Sequence, residues 1–302
     1  MNRVCILLAA YNGGKYLSEQ LDSIICQKNV EIDVFISLDE SNDDSGSIIN
    51  SYRKGNENIK IFGSDNKFGS AGANFFYLLK SVNFTGYDYI AFADQDDIWN
   101  VDKLCSAIEL MKNNDAHGYS SDVIAFWENG KTKKIIKSDK QVEFDFIFES
   151  AGPGCTFVLS NVLANAIKCS LINNSEEIEN LWLHDWYCYA FARSRSFTWV
   201  IDNKPSMLYR QHLNNSVGAN SGLLSLLNRI NVVVRGDAFD KVLAQACFLG
   251  IENLPPVKLL KQRTRGACLK LALLSAKCRR KKVEKYVFFM AMIVCSLFRR
   301  KS

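Results

Sequence analysis

Three carboxylates fall within four residues, Asp94-Gln95-Asp96-Asp97, and the run closes with Ile98-Trp99. Like charges this close repel one another, so local folding gives no reason to gather them. A divalent cation does: hard cations such as Mg²⁺ and Mn²⁺ take oxygen ligands, and Mg²⁺ commonly combines a few protein carboxylates with substrate phosphates. Two more reactive side chains lie downstream, Asp185 beside His184, and His212 after Tyr209-Arg210-Gln211. Carboxylates and imidazoles are the side chains most used to move protons and to ligate metals. Each residue also has a plainer use. Asp97 can cap the helix that follows, Asp185 suits a helix N-terminus, His212 can sit on an ordinary surface, and Trp99 and Trp186 can serve packing alone.

The elements that must position these residues are legible around them. Tyr87 to Ala93 ends in an apolar run that reads as a buried strand, delivering the acidic residues at its carboxyl end, and Asn100 to Asn113 reads as a helix. Upstream, strands are expected at Val4–Ala10, Glu31–Leu38 and Ile59–Phe62, and helices at Lys15–Gln27, from about Ser45 to Asn56, and at Ala73–Val82. This alternation means a mostly parallel sheet with helices on both faces. Such sheets bind ligands at the carboxyl ends of their strands, where strand order reverses. The ends Tyr11-Asn12-Gly13, Asp39-Glu40-Ser41 and Asp94-Gln95-Asp96 are therefore expected to converge on one crevice. The second half is less regular. It offers a strand pair, Ser121–Trp127 and Lys133–Ile136, around Glu128-Asn129-Gly130. A Gly152-Pro153-Gly154 loop precedes a strand at Cys155–Leu159. A helix is expected at Leu183–Ala192 and short strands at Phe197–Ile201 and Met207–Arg210, with helical pattern after Gly218.

No G-x-G-x-x-G follows the first strand and there is no Walker A sequence, so the carboxylates serve no familiar phosphate loop. With 302 residues, 48% apolar content, 17 glycines and four prolines, the chain suits an ordinary globular protein. Its ten cysteines form no C-x-x-C pair, and with three histidines they make no zinc pattern; reduced buried thiols point to the cytosol.

The motifs together resemble family-2 glycosyltransferases of the GT-A fold, in the bacterial rhamnosyltransferase-like branch. The resemblance spans about residues 3–218. It rests on Ala9-Ala10-Tyr11-Asn12-Gly13, on Asp39, on Phe92-Ala93-Asp94-Gln95-Asp96-Asp97-Ile98-Trp99, on Leu183-His184-Asp185-Trp186, and on Tyr209-Arg210-Gln211-His212 with Asn214-Asn215. It implies a nucleotide-sugar-binding half over residues 1–115, an acceptor-binding half over 116–218 and a basic helical tail over 219–302. It also implies roles. Ala10, Tyr11, Asn12, Asp39, Asn74, Asp94 and Gln95 would contact the nucleotide sugar, Asp96 and His212 would hold Mn²⁺ or Mg²⁺, Asp185 would be the catalytic base, and Gly154 and Trp186 would lie on the acceptor side. The reaction implied is inverting transfer of a sugar from a UDP- or dTDP-sugar, with dTDP-rhamnose leading, to a lipid-linked oligosaccharide acceptor in O-antigen, capsule or similar glycan synthesis. Where the family usually shows Asp-Asp-Gly-Ser, this chain has Leu38-Asp39-Glu40-Ser41. Two other classes fit the residues: a nucleotidyltransferase, disfavoured because Ala10 to Gly14 holds no basic residue, and a catalytically inactive GT-A-like binding module.

Charge is divided unevenly. Residues 258–302 hold 14 Lys/Arg and one acid, a balance of +13, leaving 23 Lys/Arg and 31 Asp/Glu, or −8, in residues 1–257. A basic tail seeks an anionic partner. Tyr286 to Phe298 is 13 residues without charge between Arg279-Arg280-Lys281-Lys282 and Arg299-Arg300-Lys301, and about 20 are needed to span a bilayer. The expectation is a helix lying on an anionic membrane surface, with no nucleic-acid partner, placing the enzyme in the cytoplasm on the inner face of the bacterial plasma membrane.

Overall fold

The first strand is central because its composition demands burial on both faces. In the computed structural model, which describes residues 1–63, 67–212 and 237–298, strand β1 (Asn2–Ala10) is buried continuously from Val4 to Ala10. Its side chains alternate between two layers. Val4, Ile6, Leu8 and Ala10 join a core with Leu17, Leu21 and Ile24 of α1 (Leu17–Ile25), Ile49 of α2 (Ser45–Gly55) and Leu104, Ile108 and Met111 of α4 (Lys103–Asn113). Removing each such Leu or Ile from water contributes about 1.5–3 kcal/mol. The opposite layer is aromatic: Phe92 of β4 (Tyr89–Ala93) lies 5.5 Å, centroid to centroid, from Phe75 of α3 (Ala71–Ser81) and 6.2 Å from Phe157.

The main sheet has seven strands in the order β10-β6-β9-β4-β1-β2-β3. Here β2 is Val30–Leu38, β3 Ile59–Ile61, β6 Gly118–Ser121, β9 Val158–Ser160 and β10 Trp199–Asp202. β1 pairs in parallel with both β2 and β4, so strand order reverses at the β1–β4 boundary and the three expected strand ends lie side by side. Only β9 runs against its neighbours. A second, four-stranded sheet has the order β5-β11-β7-β8, with β5 Ile98–Trp99, β7 Val123–Trp127, β8 Thr132–Ile135 and β11 Met207–Gln211. This is the GT-A-like plan that the sequence led us to expect.

Several local expectations change. The strand expected over Ser121–Trp127 divides into β6 and β7, which belong to different sheets. The break falls at Asp122, 1% exposed, whose Oδ1 accepts from the backbone N–H groups of Lys137 and Ser138. Gly154–Thr156 is a 3₁₀ turn, so the strand expected from Cys155 starts at Val158. The helix α6 (Asn161–Asn173), capped by Ser160 through the N–H of Leu163, was not anticipated. Asn214-Asn215 and the helical pattern expected over 219–236 lie outside the described residues.

The chain divides into two compact units. The first is drawn from Met1–Ser138, Ala151–Ile178 and Leu183–Ala219, the second from Asp139–Ser150, Glu179–Trp182 and Asn220–Ser302. Among its described residues the second contains α5 (Asp145–Phe148) and five later helices: α8 (Asp237–Phe248), α9 (Pro255–Gln262), α10 (Arg265–Leu273), α11 (Ser275–Cys278) and α12 (Lys282–Phe298). Its interior corrects the reading of the basic flank. Arg280 is 5% exposed and faces Glu149 at 3.5 Å and Asp145 at 3.9 Å, and its guanidinium donates to the Ser150 carbonyl. Arg279 donates to Glu284 at 2.6 Å and to the Phe148 carbonyl. These two arginines are spent inside the unit and are withdrawn from any lipid.

Candidate active site

The turn after β1 is held by its neighbours' polar atoms. Asn12 has a left-handed backbone (φ 46°), which asparagine tolerates better than most residues. Its side-chain carbonyl accepts from the N–H of Asn42, and its own N–H donates to Ser41 Oγ. Gly13 donates to Ser45 Oγ, and a Cβ at Gly13 would come within 2.3 Å of Gln95 Oε1, which explains the glycine. Gln95 accepts from Tyr11 N at 2.7 Å and donates to Tyr11 O at 2.9 Å. It therefore clamps the β1 turn to the acidic loop with its whole amide, a different use from the nucleotide contact expected of it. Tyr11 itself is exposed. Asp39 accepts from the N–H groups of Glu40, Phe68 and Gly69, and its own N–H donates to Ala10 O. Its carboxylate shapes the 67–69 loop. Asn74 is buried and donates to Ser37 O, while its Oδ1 has no hydrogen-bond partner.

The acidic loop is braced by β11. Pairing of Met207 with Trp99 and Leu208 with Ile98 carries Arg210 and His212 to the carboxylates. Arg210 N donates to Asp97 Oδ1 at 3.0 Å and Arg210 Nε to the Asp96 carbonyl at 2.8 Å, and its guanidinium pairs with Glu19. The same guanidinium lies 4.4 Å from the centroid of Tyr16 and 4.5 Å from that of Phe126. His212 Nε2 meets Asp96 Oδ2 at 2.6 Å, and its ring stacks on Tyr16. Asp96 and His212, far apart in sequence, thus stand together.

Burial and mutual repulsion make this loop costly. Asp94 is pushed up to about 7, by burial first, then by the charges of Asp96 and Asp185. Asp97, fully buried, is raised well above the carboxylate range for the same first reason, and its Oδ2 has no hydrogen-bond partner. One oxygen of each of Asp94 and Asp97 and the Cys155 sulfur lie within 4.8 Å of one another. Lys103, pushed down to about 7 by burial, is the cation nearest this cluster in electrostatic effect. The orphaned buried oxygen of Asp97 among the neighbouring carboxylates fits a divalent cation, whereas the Cys155 thiol, a soft donor, does not suit Mg²⁺. Of the expected pair, Asp96 stands next to this group in the chain and is in contact with His212.

Asp185 opens α7 (His184–Ser194), where its Oδ1 accepts from the N–H of Trp186. Its charge adds to the repulsion that raises Asp94. Gly154 lies against this helix start: a Cβ there would fall 2.5 Å from His184 Nε2 and 3.2 Å from Asp185 Cβ. Trp186 is 7% exposed, which gives its ring to packing and leaves little of it for a sugar. His184 is buried, stacks on Phe75 at 3.9 Å, and neither ring nitrogen has a hydrogen-bond partner; burial lowers it to about 3.

Residues 5–158 match the profile of Glycosyl transferase family 2, and the chain belongs to that family. It is a glycosyltransferase with a GT-A-like fold. It is 41% identical to the dTDP-rhamnosyl transferase RfbG of Shigella flexneri over 292 residues, 96% of this chain and 100% of that protein. It is 26% identical to the UDP-Glc:alpha-D-GlcNAc-diphosphoundecaprenol beta-1,3-glucosyltransferase WfgD of Escherichia coli, over 60% of this chain and 68% of the relative. Among solved structures, S. aureus TarS 1-349 superposes with TM-score 0.55 at 14% identity, covering 98% of this chain and 89% of that one. The mannosyltransferase PcManGT from Pyrobaculum calidifontis, in complex with GDP-Man and Mn²⁺, superposes with TM-score 0.51 at 13% identity, over 98% and 86% of the two chains. These two structures speak to the fold alone.

Sequence reasoning gave no role in the site to three residues of this region: Lys103, Cys155 and Arg210, the last quoted only as part of a motif. Lys103 had a signal. It stands one helical turn before Ala107 and two before Met111, in the apolar phase of α4. A lysine in that phase must be either buried and paired or out of register.

Proposed function

We propose that the protein transfers rhamnose from dTDP-rhamnose to a hydroxyl of a lipid-linked oligosaccharide, with inversion at the anomeric carbon. The observation that carries the reading is the placing of Asp96 and His212 at 2.6 Å beside Asp94, itself within the field of Asp185. The similarity to the Shigella dTDP-rhamnosyl transferase supports the donor, and the diphosphoundecaprenol acceptor in the name of the Escherichia coli relative supports the acceptor class.

Asp185 takes the proton of the acceptor hydroxyl as its oxygen bonds to the anomeric carbon. The bond from that carbon to the diphosphate breaks, and the electron pair leaves with the nucleoside diphosphate. A divalent cation held by Asp96, His212 and Asp94 would supply the positive charge that the leaving diphosphate needs. Arg210 holds the loop's backbone from behind through the Asp96 carbonyl and the Asp97 carboxylate. Asp39 shapes the 67–69 loop at the neighbouring strand end, where a base or ribose would be received.

Binding of dTDP-rhamnose, UDP-glucose and GDP-mannose should be compared by calorimetry with and without Mn²⁺, on wild type and Asp96→Ala. Metal-dependent binding of the dTDP-sugar, lost in the variant, is expected. Failure of all three donors to bind under metal would sink the reading.

The tail reading rests on α12 and α10. Val283, Tyr286, Met290 and Leu297 recur along one side of α12 and are 38% to 73% exposed; Leu269 and Leu273 on α10 are 45% and 78% exposed. Lys270 and Lys282 stand exposed beside them. No described helix is long and apolar enough to cross a membrane. An apolar stripe edged with lysines suits an anionic lipid surface, holding the enzyme peripherally on the inner face of the plasma membrane. Flotation with phosphatidylglycerol vesicles tests it: wild type should float and Tyr286→Glu/Met290→Glu should not. Equal flotation of both proteins would remove the stripe from the account.

A further inference from the structure

Lys103 stands where a cation is least welcome. Its side chain is 1% exposed, and desolvating an ammonium costs several kcal/mol. It is also the first residue of α4, and the positive end of a helix dipole disfavours another positive charge. Packing alone does not account for it, because a methionine would fill the same space without either penalty.

Its contacts show what it joins. Nζ donates to the Cys155 carbonyl at 2.6 Å and lies 3.2 Å from the Trp99 ring centroid. The carboxylates that act on it are Asp97 and Asp94. Cys155 belongs to the Gly154–Thr156 turn, and that turn is the surface against which Asp185 Cβ rests. One ammonium therefore connects the loop that would face the diphosphate with the turn that seats the base.

We infer that Lys103 is a positioning residue for sugar transfer: through the Trp99 ring that closes the acidic loop on one side and the Cys155 carbonyl on the other, it fixes the spacing between that loop and Asp185. The inference rests on the transferase reading above. Lys103 also places positive charge beside a loop built to receive a divalent cation, so it tempers the loop's attraction for metal while holding its shape.

The two effects part in Lys103→Met, which keeps the length and removes the charge. Metal binding is read by Mn²⁺ electron paramagnetic resonance without donor, folding by thermal melting, and turnover with a saturating dTDP-sugar. The variant should bind Mn²⁺ about fivefold or more tightly, because the loop has lost its neighbouring cation. Its turnover should nonetheless fall about 100-fold, the scale of a misplaced catalytic group, with donor KM little changed. Lys103→Arg, which keeps the charge, should retain wild-type Mn²⁺ affinity. Wild-type turnover in Lys103→Met, or a joint loss of metal affinity and turnover, would overturn the inference. If Lys103→Met does not fold, the double variant Lys103→Met/Asp97→Asn removes one charge of each sign and carries the test. It should melt cooperatively and still turn over about 100-fold slower, and wild-type turnover there would equally overturn the inference. If wild type binds neither Mn²⁺ nor a nucleotide sugar, the transferase reading fails instead, and the two failures are told apart.

Discussion

The acidic loop of the first unit and the Arg279–Arg280 cluster of the second use similar ingredients to opposite ends. Each buries two or more carboxylates with basic groups. In the second unit each acid is balanced by a guanidinium partner: Asp145 and Glu149 face Arg280, and Glu284 takes Arg279. In the first, the cations near Asp94, Asp96 and Asp97 are Lys103 and Arg210; the Arg210 guanidinium is taken by Glu19, and an oxygen of Asp97 has no hydrogen-bond partner. A balanced cluster closes on itself and specifies a fold. An unbalanced one stays open to a charge from outside, which is what a site for a cation and a diphosphate must do.

The largest effect expected from this contrast is on turnover. Asp185→Asn removes the proton acceptor while keeping shape, and should lower kcat by about 10²–10⁴-fold with the melting temperature nearly unchanged, read by transfer assay and calorimetry. A retained kcat would move the base elsewhere. In the balanced cluster the same kind of change should strike stability instead. Arg280→Met strands Asp145 and Glu149 and should cost about 3–5 kcal/mol in chemical denaturation. Adding Asp145→Asn and Glu149→Gln should restore most of it, and an unrecovered triple variant would mean that Arg280 acts by packing. A smaller effect concerns His184, whose buried ring is lowered from 6.5 to about 3. It contributes nothing above about pH 6.5. As pH falls below that value the unfolded chain takes up a proton that the folded one refuses, costing about 2 kcal/mol by pH 5. His184→Leu should flatten the loss of stability between pH 7 and 5, and an unchanged slope would assign that loss to other groups.

The parallel sheet, the switch point and the convergence of three strand ends were legible because apolar runs broken by polar turns admit little else at that spacing. The neighbouring of Asp96 and His212 was legible only through motif resemblance, since 116 residues separate them and the two-residue strand β5 that brings β11 alongside is too short to announce itself. Gln95 and Asp39 were recognised as site residues, but their backbone-binding work could not be read without the turns they hold. The division at Asp122 was hidden because β6, Gly-Tyr-Ser-Ser, carries no apolar run, and the expected strand took in only its last residue, Ser121. The fate of Arg279 and Arg280 was hidden for a different reason: a basic run looks solvated until the acids that neutralise it, Asp145 and Glu149, are brought from far upstream.

That distance has a consequence for the making of the protein. Ser150, whose carbonyl receives Arg280, leaves the ribosome 130 residues before its partner. At about 5–20 residues per second this is roughly 7 to 26 s. Throughout that interval the Asp139–Ser150 segment has no arginine to close upon, while the β1-to-β4 half of the sheet is already complete. The second unit can assemble only after Arg280 has been made, so a chain truncated before Arg279 would carry its buried acids uncompensated and exposed to proteolysis.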